Sequence, residues 1–114
     1  VTRVRTAWTA SYPDPIRVAA DDPVTLTGRE DFWHGYRWLW AIAPDGRQGW
    51  VPDDLIVEGR ATRNYSAAEL TCTMGEALIR IETRHGWALC QNAAGQVGWV
   101  PLQNLSNVAD VDPR

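Results

Sequence analysis

The segment Gly49-Trp50-Val51-Pro52-Asp53-Asp54-Leu55-Ile56 returns, degenerate but legible, 49 residues on as Gly98-Trp99-Val100-Pro101-Leu102-Gln103-Asn104-Leu105. An internal period of this size makes the chain two copies of one small module rather than a single 114-residue domain. The match extends upstream. Asp45-Gly46-Arg47-Gln48 precedes the first Gly-Trp-Val-Pro, and Ala94-Gly95-Gln96-Val97 precedes the second. A Gly-containing pair between alternating apolar residues signals a tight hairpin. Before each turn lies a Trp-containing run, 38–42 and 87–90, that reads as a strand. Further back, Ile16, Val18, Val24 and Leu26 fall opposite Leu70, Cys72, Leu78 and Arg80. Their period of two predicts half-buried strands. Asp21-Asp22-Pro23 and Met74-Gly75-Glu76 are the turns between them.

No stretch sustains helical periodicity, so the expected fold class is all-β, with short strands at roughly 8–12-residue spacing. The expected domains are 1–57 and 58–107, followed by a polar, acidic tail, 108–114, expected to fray. A lone module of about 50 residues is marginal, and packing two together would supply extra buried surface.

The series of parts is an opening strand, an acidic turn, two strands, a Trp step, a distal hairpin and Gly-Trp-Val-Pro. Occurring twice in order, it resembles a Src-homology 3 (SH3) domain of the bacterial type over about residues 4–57 and 60–107. The resemblance implies two SH3-like small β-barrels in tandem, each of about five strands with a one-turn helix before the last. It also implies a non-catalytic binding role.

Composition narrows the partners. The net charge of −3 argues against an extended nucleic-acid surface. No segment approaches 18 uninterrupted apolar residues, which argues against a membrane span, and the N-terminus has no apolar leader. The default expectation is therefore cytoplasmic. Every basic residue is Arg, which reads as codon bias before it reads as a selected surface. Cys72 and Cys90 replace the apolar residues Val18 and Ala41 in strands, so both read as small core hydrophobes. Two cysteines and two separated histidines, His34 and His85, do not make a four-ligand zinc site. Paired acids such as Asp53-Asp54 lie on opposite faces if extended, and no phosphate loop is present. The expectation is no enzyme, no cofactor and no metal.

The SH3 resemblance implies an aromatic groove for Pro-rich peptides, and its positions carry over unevenly. Trp38 and Trp87 fill the Trp position, Pro52 and Pro101 the Pro position, and Asp21 and Asp22 an acidic turn. Of the opening aromatics, Tyr65 stands in the second module and Tyr12 is the nearest counterpart in the first. The final Tyr is replaced by Leu55 and Asn104. The second groove therefore reads as poor in aromatics. Trp50 and Trp99 read as core. The first module instead carries a longer loop, Gly28–Tyr36, holding Phe32, Trp33 and Tyr36. Exposed aromatics flanked by charge are the usual anatomy of recognition, while the same residues would serve equally to pack the modules together. The leading expectation is a protein or peptide partner, basic or Pro-containing, met by the first module, with Asp14, Glu30 and Asp31 adding negative charge. The alternatives are binding to cell-wall peptidoglycan and a purely structural or oligomerising role.

Overall fold

The computed structural model describes residues 1–11, 14–33 and 35–106. They form strands β1 (Thr2–Arg3), β2 (Arg17–Val18), β3 (Thr25–Trp33), β4 (Tyr36–Ile42), β5 (Gln48–Pro52), β6 (Ile56–Val57), β7 (Arg60–Ala61), β8 (Tyr65–Ser66), β9 (Ala77–Arg84), β10 (Trp87–Gln91) and β11 (Val97–Pro101). A 3-10 turn, Leu102–Asn104, follows β11. Its counterpart after β5 is a hydrogen-bonded turn, Leu55 N to Pro52 O at 3.0 Å. The chain is all-β among the described residues, as expected. Its sheets are open among the described residues: β1-β9-β10-β11, β3-β4-β5, β2-β8 and β6-β7, with isolated bridges besides.

Two compact units form, and they do not coincide with the sequence repeats. One is continuous, Tyr12–Ala68; the other joins Val1–Ser11 to the chain from Glu69 onward. Each has its own core. The continuous unit buries Ile16, Val18, Val24, Ala41, Ala43, Val51, Leu55 and Ala61. The split unit buries Val4, Leu70, Cys72, Leu78, Ala88, Cys90, Val100 and Leu105. The period-two positions expected to be buried are so, except that Leu26 is 41% exposed and Arg80 is half-buried. Leu26 lies opposite the buried Ala41 at the last regular pair before the strand bulges, where the register shifts between Leu26 and Glu30.

The split unit arises from an exchange of opening segments. Arg60 bridges Pro23, Ala61 lies opposite Ile56, and Tyr65 lies opposite Val18. In the other unit Arg3 lies opposite Ala77, Val4 bridges Leu105, and Trp8 bridges Cys72. Pro23 and Ala77, Ile56 and Leu105, and Val18 and Cys72 are equivalent positions of the repeat. Arg60–Ala68 and Arg3–Ser11 therefore hold the same place in the fold. Each completes the unit whose remaining strands come from the other repeat.

Candidate functional site

The β9–β10 hairpin closes at Arg84 opposite Trp87 through His85 and Gly86, whose φ angles are 50° and 85°. Two successive positive φ values are the backbone of a two-residue type I′ turn. Trp38 holds the position of Trp87, since Trp38 lies opposite Pro52 as Trp87 lies opposite Pro101. In the continuous unit, however, the hairpin does not close there. It runs on through two further pairs, Phe32 with Arg37 and Trp33 with Tyr36. The segment expected as a loop is thus mostly strand, because cross-strand aromatic pairing extends the ladder.

The extension leaves an aromatic tip. Phe32 is 65% exposed and Tyr36 42%, while Trp33 is half-buried. Glu30 and Arg37 form an ion pair across the strands. Asp31, which is exposed, accepts at Oδ1 from Phe32 N at 2.9 Å. Trp38, opposite Asp31, is half-buried on the same hairpin. Pro52 and Pro101 are both fully buried, each opposite its Trp on the neighbouring strand, so neither offers a contact surface.

The remaining candidates lie elsewhere. Asp22 and Tyr65 come together around an open depression of about 560 Å³, lined also by Arg17, Val18, Ala19, Asn64 and Ser66. Asp22 Oδ2 accepts from Ala19 N at 2.9 Å, which closes the acidic turn on itself. Asp21 has φ 72°, and its carbonyl accepts from Arg60 at 2.8 Å. The turn is thereby fixed to β7. Asp14 pairs with Arg47 at 3.0 Å. Tyr12 and His34 lie outside the described residues, as does the expected tail.

Tyr65 belongs to the continuous unit, contrary to its expected place in the second module. Trp8 takes the equivalent place in the split unit and meets Trp87 edge-on, 5.6 Å between ring centroids. Trp8 Nε1 donates to Glu69 Oε1 at 3.1 Å, and Ser11 N donates to the same oxygen at 2.9 Å. The unit therefore keeps as many aromatics as the second repeat holds, with Trp8 standing in for Tyr65. Asn104, at the place of the missing final Tyr, is buried and donates from Nδ2 to the carbonyls of Thr6 and Ala7. Leu55, its counterpart, is core. Both substitutions hold the fold together.

Trp50 corrects another expectation. It is half-buried outside the core, 5.0 Å from Trp40 in an edge-on pair, with Arg29 lying over both rings at 5.1 and 4.8 Å. Trp99 is buried, as expected. Trp8, Glu69 and this Arg-capped pair were all missed by sequence reasoning. For Trp8 a signal existed: Arg3–Ser11 aligns with Arg60–Ala68, which puts Trp8 opposite Tyr65. Cys72 and Cys90 are buried free thiols, and burial pushes both above the ordinary thiol range.

No helix among the described residues is long and apolar enough to cross a membrane. No curated protein and no solved structure matches the chain. The variant SH3 domain does match, twice, over residues 2–59 and 58–108, in the order that the repeat and its Gly-Trp-Val-Pro motifs follow. The chain belongs to the variant SH3 domain family, as a tandem of two such domains.

Proposed function

We propose that the protein is a non-catalytic binding module that captures a protein or peptide partner through the β3–β4 hairpin of its Tyr12–Ala68 unit. The observation that carries this reading is the hairpin tip, where the register puts exposed Tyr36 on one face with Trp33, Asp31 and Trp38, and exposed Phe32 on the other beside Arg37. Single exposed hydrophobics are ordinary on a protein surface, but clustered aromatics with charge at their rim are what binding hot spots are made of. Trp38 continues the Trp33–Tyr36 face down the hairpin, with Pro52 opposite it on β5. Asp31 favours a ligand bearing Arg or Lys, while Glu30 is already engaged by Arg37. Domains of this family are in general binding modules. An extended or Pro-rich basic segment is the ligand class that an aromatic and acidic strip suits best.

The test compares wild type with Phe32→Ala/Tyr36→Ala as baits for host proteins, alongside sedimentation on purified peptidoglycan. Both residues are exposed, so the double variant should keep its melting temperature within a few degrees. Capture of a protein ligand should weaken roughly thirty-fold, about 2 kcal/mol at a hot spot. Equal capture by two folded baits would remove the hairpin from the site. Co-sedimentation with peptidoglycan, insensitive to the substitutions, would favour the cell-wall reading instead.

A further inference from the structure

The place filled by Val1–Ser11 is one that the chain can furnish twice over. Arg3-Val4-Arg5-Thr6-Ala7-Trp8-Thr9-Ala10-Ser11 and Arg60-Ala61-Thr62-Arg63-Asn64-Tyr65-Ser66-Ala67-Ala68 share one pattern: Arg, a buried apolar residue, and an aromatic four positions later. Nothing covalent ties the first segment to its slot. It is held by backbone bonds such as Val4 N to Glu76 O at 3.0 Å and Gly75 N to Val4 O at 2.8 Å. Val4 enters the core with Trp8 packed against it, and side-chain bonds add to the attachment, among them Trp8 to Glu69, Thr2 to Ser106, and Asn104 to the Thr6 and Ala7 carbonyls. The last bond, from Ser11 N to Glu69, falls just before the residues that lead into the other unit. The slot thus reads residues 2–11 and nothing of the chain they are joined to.

We infer that Val1–Ser11 is a donor strand that exchanges between molecules, and that its slot is an interface for a second copy of this chain. The second copy is the occupant because it alone brings the same side chains in the same register. Two chains placing their segments reciprocally form a closed two-fold pair with no new contacts required. Docking within one chain works against an effective concentration of order millimolar, so dilute protein is monomeric and exchange emerges near that concentration. This inference stands apart from the aromatic hairpin.

Arg3 and Ala77 are register partners and both exposed. Antiparallel partners lie about 4.5–5.5 Å apart at Cα, within disulfide reach. In a Cys72→Val/Cys90→Ala background, one chain carrying Arg3→Cys is mixed with another carrying Ala77→Cys at about 1 mM. The mixture is unfolded, refolded and oxidised. The expected product is a covalent heterodimer, at least tenfold in excess over that from Arg3→Cys mixed with an out-of-register Thr83→Cys chain. A single chain carrying both Arg3→Cys and Ala77→Cys, oxidised in dilute solution, should close on itself. Should the background unfold, the same mixture with native cysteines serves, with the linked peptides mapped by mass. Intrachain closure with a heterodimer no more abundant than the control would overturn the exchange. Failure of the double-substituted chain to close would overturn the β1–β9 register on which the exchange rests.

Discussion

Gly98 marks a close approach of two backbones. A Cβ there would lie 2.7 Å from both the Glu69 carbonyl carbon and the Leu70 nitrogen. That backbone cannot retreat without losing the bond from Leu70 N to Trp99 O, 3.0 Å long. At the equivalent Gly49, a Cβ would meet Ile16 Cγ2 at 2.9 Å and Ile16 Cβ at 3.3 Å, a contact with a buried, β-branched side chain rather than with backbone, which a smaller shift relieves. Gly98→Ala should therefore destabilise by about 3 kcal/mol and Gly49→Ala by about 1 kcal/mol, in urea or thermal unfolding. Equal losses would show that the backbone contact is not the constraint. The thiols supply a pH dependence. Burial raises both Cys72 and Cys90 above their ordinary value of 9.0. The unfolded chain ionises first, so above pH 9 it binds fewer protons than the folded chain. The contribution to stability is then present in full below pH 9 and is lost as pH rises from there toward the folded-state values. Urea midpoints should hold level from pH 7 to 8.5 and fall beyond 9. A Cys72→Val/Cys90→Ala chain should lack the part of that fall due to thiols. Native protein at pH 8 should also resist thiol reagents, and rapid labelling there would show the cysteines to be accessible.

Strands and turns were legible in the sequence where side-chain period and turn chemistry act locally. Gly46 and Gly95, with φ 91° and 87°, close the two distal hairpins that the Gly-containing pairs announce. The Gly-Trp-Val-Pro strands pair with the Trp-containing runs in one register in both halves, Trp50 with Trp40 and Trp99 with Leu89. The segment 28–36 was not legible, because its charges and glycines read as loop while the pairs that extend the ladder, Phe32 with Arg37 and Trp33 with Tyr36, are a cross-strand effect. The facing of Trp50 was lost for a related reason. In a strand of alternating burial, Val51 takes the core and Trp50 must face outward, where Arg29 covers it. Only the partner strand decides which of two adjacent large residues goes inside. At the candidate site the consequence is mixed. Phe32, Trp33, Tyr36 and Trp38 lie on one hairpin, whereas Pro52 and Pro101 lie beneath the surface and Tyr65 belongs to the hairpin's own unit rather than to the second module.

At the scale of the whole molecule, the repeat reveals two modules but not which opening segment completes which. Arg3–Ser11 and Arg60–Ala68 carry the same pattern, so no local rule prefers one slot, and the choice falls to fit: Val4 with Trp8 in one core, Ala61 with Tyr65 in the other. The exchange has a consequence for truncation that a string of independent domains would not share. Removing Val1–Ser11 leaves Tyr12–Ala68 with its whole core, while the remaining chain loses Val4, the β1–β9 pairing and the carbonyls that Asn104 engages. A unit this small buries only about 60% of its unfolded surface and has little stability in reserve. The shortened chain should therefore show dispersed backbone amide signals from 12–68 and collapsed signals from 69 onward. A synthetic Val1–Ser11 peptide, added at millimolar concentration, should restore the second set, since the slot reads the strand and not its tether. Collapse of the first set as well would mean that the units depend on one another. Retention of both would mean that Arg60–Ala68 or no strand at all suffices, and that the split unit does not need the segment it borrows.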